Sequence, residues 1–275
     1  MSGVAGGADG YLAFLAARDG EASLSRHTLG RREAFFAAID REPVRASRTV
    51  DAAAYRRKLV RRRPEPDLDP RVLWLLATAK ANQAERFGVG LGELYGLVTP
   101  DSDPTRVHIA LQEHYHTRML ADVVGMFGLP VQAGPPAWFA RVIVKVLIAT
   151  PERWNLPLTG AAEMAGCVIF RLLRDYGVTL FADESLVAAR IGLLYDEILA
   201  DEIGHVGYIA WRLGPPGRSV MRALFRHLGA SMASQLPELL RLVGRREIAH
   251  RFAAPFDLDA LVAELPGRAY AAATI

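Results

Sequence analysis

The sequence predicts an all-α chain, and three observations carry that expectation. Apolar residues recur with helical spacing from about Arg71 onward. No run of alternating polar and apolar residues bounded by turns suggests a strand. The periodic segments are separated by proline and glycine clusters, which stop and restart helices. In chain order, short helical patterns at Tyr11 to Ala17 and Arg32 to Ile39 form an N-terminal extension, residues 1–70, closed by Pro64, Pro66 and Pro70. A long helix follows from Arg71 to Phe87, with a possible continuation past Gly88, Gly90 and Gly92 to Leu97. A second begins after the turn Thr99 to Pro104 and ends near Gly128-Leu129-Pro130. A segment from Ala137 to Thr150 and a helix from Leu158 to Tyr176 are expected to be separated by a break at Pro151 and Pro157. Another long helix spans Glu184 to Leu213 and stops at Gly214-Pro215-Pro216-Gly217. Two further patterns, Val220 to Leu236 and Glu238 to Arg251, belong to a C-terminal part, residues 214–275, packed on a bundle formed by residues 71–213.

Composition narrows the function classes. A chain of 275 residues, 51% hydrophobic and 23% charged, can bury a core without disulfides or a structural metal. Its single cysteine, Cys167, excludes an intrachain disulfide framework and a cysteine-only zinc site; a small buried hydrophobe is the expectation. The dense apolar stretch Val142 to Ala149 is too short to cross a bilayer and is interrupted by Lys145. Residues Met1 to Gly10 lack a basic segment followed by an apolar one, so a cytoplasmic protein without membrane association is expected. The net charge of +3 reflects a local run, Arg56, Arg57, Lys58, Arg61, Arg62 and Arg63. No nucleic-acid motif accompanies it, which favours a solvated basic face beside a linker over an RNA or DNA partner.

The chemistry is concentrated in two places where a glutamate precedes a histidine by three residues, Glu113/His116 and Glu202/His205. On a helix, such a pair presents a carboxylate and an imidazole in one direction. That direction is inward: Ile109, Leu120, Val123 and Phe127 share the first face, and Val187, Ile191, Leu194, Ile198, Ile209 and Leu213 the second. A carboxylate in an apolar interior is unfavourable unless paired or bound to a metal, and two on separate helices point to a common purpose. In four-helix bundles, two Glu-x-x-His pairs with one glutamate from each remaining helix hold a dinuclear iron or manganese site. Glu163, beside Thr159, Gly160, Gly166, Cys167 and Phe170, is the candidate on the third helix. On the first it is Glu85, which an antiparallel hairpin brings level with Glu113, with Glu93 as competitor. Four carboxylates and two divalent ions would make a neutral centre, and oxygen-rich ligands suit iron or manganese.

With these ligands in place, residues 71–213 resemble the ferritin-like non-haem di-iron carboxylate superfamily. That group includes ribonucleotide reductase small subunits, bacterial multicomponent monooxygenases, fatty-aldehyde deformylating oxygenases and arylamine N-oxygenases. The strongest local piece is Asp201-Glu202-Ile203-Gly204-His205. The resemblance implies a ferritin-like four-helix bundle, with Asp201 accepting a hydrogen bond from a ligand histidine. The departures also inform: Leu120 stands where the reductases have their radical tyrosine, and Ile198 where arylamine N-oxygenases have an extra histidine. His114 is expected beside the site or at the surface, and Tyr195 and Tyr208 flank the second pair, packing between helices or relaying electrons. The implied function is an O2-dependent oxidation of a small organic molecule by two iron ions or a Mn/Fe pair, with an external electron donor and dimerisation along bundle faces. Competing expectations are an iron-oxidising storage protein, a tRNA-modifying hydroxylase and a metal-free structural bundle.

Overall fold

In a computed structural model of the chain, residues 8–19, 30–59, 68–94, 102–131, 142, 145, 146 and 149–264 are described. Among them every regular element is a helix: α1 (Ala8–Asp19), α2 (Gly30–Arg41), α3 (Ala52–Leu59), α4 (Pro70–Leu94), α5 (Pro104–Gly125), α6 (Glu152–Leu180), α7 (Ser185–Ser234), α8 (Pro237–Val243), α9 (Arg245–Ala253) and α10 (Leu258–Glu264). The all-α expectation holds. Most of the predicted segment Ala137 to Thr150 lies outside the described residues, as do residues 60–67.

Helices α4, α5, α7 and α6 pack in that order around a ring, α6 closing back on α4. Cross-helix contacts give the directions. The Asn82 amide donates to the Thr117 carbonyl and Glu85 hydrogen-bonds Glu113, so α4 and α5 run in opposite directions. The Trp74 indole donates to Leu173 O at 2.7 Å, pairing α4 with α6. Along α6, Gly160, Gly166 and Gly177 face Ile209, Glu202 and Ile191 of an antiparallel α7. Neighbours on the ring are thus antiparallel, α5 and α6 run the same way, and one long connection joins them.

The local chemistry explains the boundaries. Asp103 caps α5 by accepting from the Thr105 amide at 2.8 Å, with Pro104 in the first turn, where its missing N–H leaves no gap. Between α6 and α7 the chain reverses within residues 181–184, the Glu184 amide donating to Phe181 O at 2.8 Å. Helix α6 begins at Glu152 and runs through Pro157, correcting the expected break. A proline in the second turn forfeits only its bond to residue 153, and packing of the remaining turns on α7 offsets that loss. The expected stop after Leu213 is a kink: Gly214 alone leaves helical geometry, at φ 62°, and Pro215 restarts the helix.

The core is continuous from Tyr11 to Leu261. Trp74 is fully buried against Phe181 and Tyr195, in a space that exists because Gly177 has no side chain. Burying each large apolar side chain of this kind contributes roughly 1.5–3 kcal/mol. C-terminal helices pack on the ring through the buried Glu238, which binds Lys80 of α4, and through Phe252, which covers Gly229 of α7. Helix α6 has the length and mean hydropathy, 1.4 over its most apolar stretch, of a membrane-crossing segment. Its apolar face is spent on α7, and it carries Glu163 into the interior.

Candidate metal centre

Halfway along the ring, four helices each deliver carboxylates or imidazoles to one point. The ligand atoms of Glu85, Glu113 and His116 lie within 4.8 Å of one another, and so do those of Glu113, Glu163, Glu202 and His205. These two groups share Glu113 and can hold metal ions. They bring together the six residues whose spacing singled them out in the sequence. Glu85 is the α4 residue found here; Glu93 lies near the end of α4, with its side chain outside the described set.

The imidazoles decide what the pocket accepts. His116 and His205 are completely buried, and each engages its Nε2 behind the site. His116 Nε2 is 3.1 Å from Asp201 Oδ2, and His205 Nε2 is 2.9 Å from Gln112 Oε1. The Gln112 amide is oriented by its other end, where Nε2 donates to Asp201 Oδ1 at 2.9 Å. An ionised carboxylate only accepts, so the Gln112 oxygen must face His205 and the Tyr11 hydroxyl, which donates to it at 3.0 Å. Both histidines therefore carry their proton on Nε2 when neutral and aim an Nδ1 lone pair at the glutamates. His116 Nδ1 lies 3.3 Å from Glu202 Oε1 and 3.6 Å from Glu113 Oε2. His205 Nδ1 lies 3.4 Å from Glu113 Oε1 and 3.8 Å from Glu163 Oε2. Neither buried Nδ1 has a hydrogen-bond partner. A lone pair facing a carboxylate is unfavourable unless a proton or a metal cation lies between them, and this set of imidazole nitrogens and carboxylate oxygens could hold a divalent metal.

Electrostatics describe the same demand when protons are the only cations. Burial, the Glu113 charge and a hydrogen bond with it push Glu85 well above the usual carboxylate range; burial and the Glu163 charge do so for Glu202. For Glu113, burial works upward but is outweighed by the facing His116 and His205 imidazoles, which bring it down to about 2. Burial disfavours imidazolium at His116, yet the hydrogen bond it donates to Asp201 and the nearby carboxylates of Glu113 and Glu202 hold its pKa well above the ordinary value. Cys167, also completely buried, is pushed up by burial and by Glu202 and Glu163, and stays a thiol.

Behind the histidines, Asp201 stands as the resemblance implied, within arginines and a Glu197 partner that sequence reasoning did not anticipate. Arg32, with no exposed surface, donates to both oxygens of Asp201 at 2.7 and 2.6 Å and to Glu197 at 2.7 Å. Arg18 adds a bond to Asp201 at 2.6 Å, and Arg31 grips both Glu197 oxygens at 2.8 and 3.0 Å. Burial would raise the Asp201 pKa, but Arg32 and Arg18 hold it well below the usual range. These arginines come from α1 and α2, so the segment read as an extension supplies the back wall of the site.

For His114 and Tyr208, which the sequence left with two alternatives each, the structure selects one. His114 is exposed on α5, because one residue of rotation carries it off the face of Glu113 and His116. Tyr208 is buried but stands one layer further out than a residue touching the ligands: its ring stacks on Tyr11 at 5.2 Å, and the Tyr11 hydroxyl makes the contact with Gln112. The glycines divide by role. Gly160 is a close-packing position under Met221 and Ile209, Gly166 leaves the space beside Glu202, and Gly88 and Gly90 face open space. In the basic run, Lys58 is buried while Arg56 and Arg57 are exposed, so the run is not one continuous face; Arg61, Arg62 and Arg63 lie outside the described residues.

The site is open on one flank. Glu113 and Glu163 keep 22% and 19% of their side-chain surface exposed, whereas the histidine side is closed. No protein-family model, curated protein or solved structure matches the chain.

Proposed function

We propose that the protein is a dinuclear metal oxidoreductase that uses O2 to oxidise a small organic molecule by C-hydroxylation, N-oxygenation or oxidative cleavage. The observation that carries this reading is the pair of ligand groups joined at Glu113, with both Nδ1 lone pairs turned inward. Glu85 and His116 would hold one ion, Glu163, Glu202 and His205 the other, and Glu113 would serve both. Iron in both positions is the proposed content, with a Mn/Fe pair as the variant; such ions supply electrons to bound O2 and carry the difficult chemistry. A helical ring with a single long connection is also the arrangement in which four-glutamate, two-histidine centres are built, which supports a ferritin-like reading.

The chain's own part is geometry and solvent control. Asp201 and Gln112 hold the two imidazoles in one tautomer, so that in the neutral ring the nitrogen facing the centre carries no proton. Leu120, Ile198 and Val123, all completely buried, keep the surroundings apolar and water-poor. The partly exposed flank of Glu113 and Glu163 is the proposed entrance for substrate and O2. Electrons would come from an external donor.

The test is anaerobic loading with ferrous iron, then rapid mixing with O2 while oxygen uptake and visible absorption are followed. An absorption change proportional to bound iron, which decays faster when an oxidisable organic compound is added, is the expected result. Rapid turnover of excess ferrous iron with no organic requirement would replace this reading with an iron-handling one. Absence of oxygen uptake by the loaded protein would end both.

A further inference from the structure

We propose that helices α1 and α2 are a working part of the metal centre, with Arg32 and Tyr11 as positioning residues, so that metal loading and docking of these helices are coupled. The inference rests on the metal-centre reading but asks a separate question: what holds the ligands in register.

The geometry runs in two short chains. In one, Arg32 of α2 binds both oxygens of Asp201, which holds His116 Nε2. In the other, Tyr11 of α1 donates to Gln112 Oε1, the same oxygen that holds His205 Nε2. The chains meet where Gln112 donates to Asp201 Oδ1. Each ligand histidine is thus oriented by one polar residue of the bundle, and each of those is oriented by a residue from the first two helices. Arg32 suits the task because its rigid planar fork directs one nitrogen to Glu197 and the other to Asp201, a fixed geometry that a lysine ammonium lacks. Stripped of α1 and α2, Asp201 would be a buried carboxylate short of its arginines, and the Gln112 amide would lose the hydroxyl that keeps its oxygen toward His205. Both imidazoles would then sample ring orientations in which Nδ1 no longer faces the glutamates. Because binding free energies are reciprocal, ions that select the Nδ1-inward arrangement must also favour the docked helices.

The test uses the full chain and Co2+, whose absorption and paramagnetic shifts report bound imidazole. Arg32→Met is expected to weaken Co2+ binding about 10- to 100-fold, the range for residues that orient metal ligands. Tyr11→Phe, which removes one hydroxyl, is expected to have a smaller effect in the same direction. In loaded wild type, the shifted exchangeable imidazole N–H signals should be sharp; in both variants they should move and exchange faster, which a merely structural role would not produce. Amide exchange in α1 and α2 of wild type should slow on loading by about 5- to 150-fold, the usual span of coupling between sites. If Arg32→Met does not fold, Tyr11→Phe and the wild-type exchange measurement decide. Failure of wild type to bind Co2+ would refute the metal-centre reading itself. Wild-type binding with unchanged affinity and N–H signals in the variants, and equal exchange in α1 and α2 with and without metal, would overturn only this inference.

Discussion

Two carboxylate clusters, one buried and one partly exposed, lie on opposite sides of His116 and His205, and they are balanced in different ways. Behind the imidazoles, Glu197 and Asp201 meet Arg18, Arg31 and Arg32 at hydrogen-bonding distance. In front, Glu85, Glu113, Glu163 and Glu202 meet imidazoles whose neutral form offers them a lone pair. The same helix, α7, contributes Glu197 and Asp201 to one cluster and Glu202 to the other. The consequence appears in the carboxyl groups themselves: Asp201 is held well below the ordinary range, Glu202 well above it. One cluster is closed by cations the chain carries, and the other has the donor set that could hold metal ions. Buried charge therefore has two meanings here, scaffold and receptor, and only the partner distinguishes them.

The comparison predicts opposite responses to neutralising a carboxylate. Asp201→Asn removes the buried carboxylate charge that Arg32 and Arg18 share and should lower stability by about 3–5 kcal/mol, read by denaturant unfolding of metal-free protein. Glu202→Gln, one residue along, should leave metal-free stability unchanged or raise it, because it relieves repulsion with Glu163 and Glu113. A loss of stability in Glu202→Gln as large as that in Asp201→Asn would break the distinction. An ordinary packing site provides the scale: Gly177→Ala, which drives a methyl into Trp74 and Ile191, should destabilise by roughly 1–3 kcal/mol.

Acid sharpens the same contrast. Burial would raise the pKa of Glu197, but its hydrogen bond to Arg31 and the Arg32 charge lower it overall. A carboxyl with a depressed folded-state pKa contributes stability that is present above its unfolded pKa of about 4.3 and is lost as pH falls through the folded value. Glu197→Gln should therefore flatten the acid limb of the stability profile and leave the slope above pH 6 or so unchanged. The smallest expected effect lies away from both clusters: Gly90→Ala, in open space near the end of α4, should stabilise by up to about 1 kcal/mol.

How much of this was legible in the sequence follows from the range of each signal. Helices and ligand faces were readable because periodicity is local: Glu113 with His116, and Glu202 with His205, announce themselves within one turn, and the apolar stripe around each gives its direction. Glu163 and Glu85 needed the further idea that each bundle helix contributes to one depth. The arginine clamp was not legible, because Arg32 reaches Asp201 across a sequence separation of 169 and no periodicity connects them. Gln112 had a usable signal, since it lies one turn before His116 and shares its face. Pro157 is a poor boundary signal because the helix starts at Glu152 and places it in the second turn, and Gly214 marks a kink and not a stop, since a single glycine with positive φ is enough to bend the chain.

The most direct test of the central claim is an anaerobic titration of metal-free wild type and Glu113→Gln with ferrous iron, following bound metal and released protons. Ligands must be deprotonated to bind, so wild type should take up about two ions per chain with proton release. Glu113→Gln, which alters the one residue common to both ligand groups, should lose high-affinity binding at both positions while staying folded. No saturable binding by wild type, or the same stoichiometry and affinity in Glu113→Gln, would contradict the account.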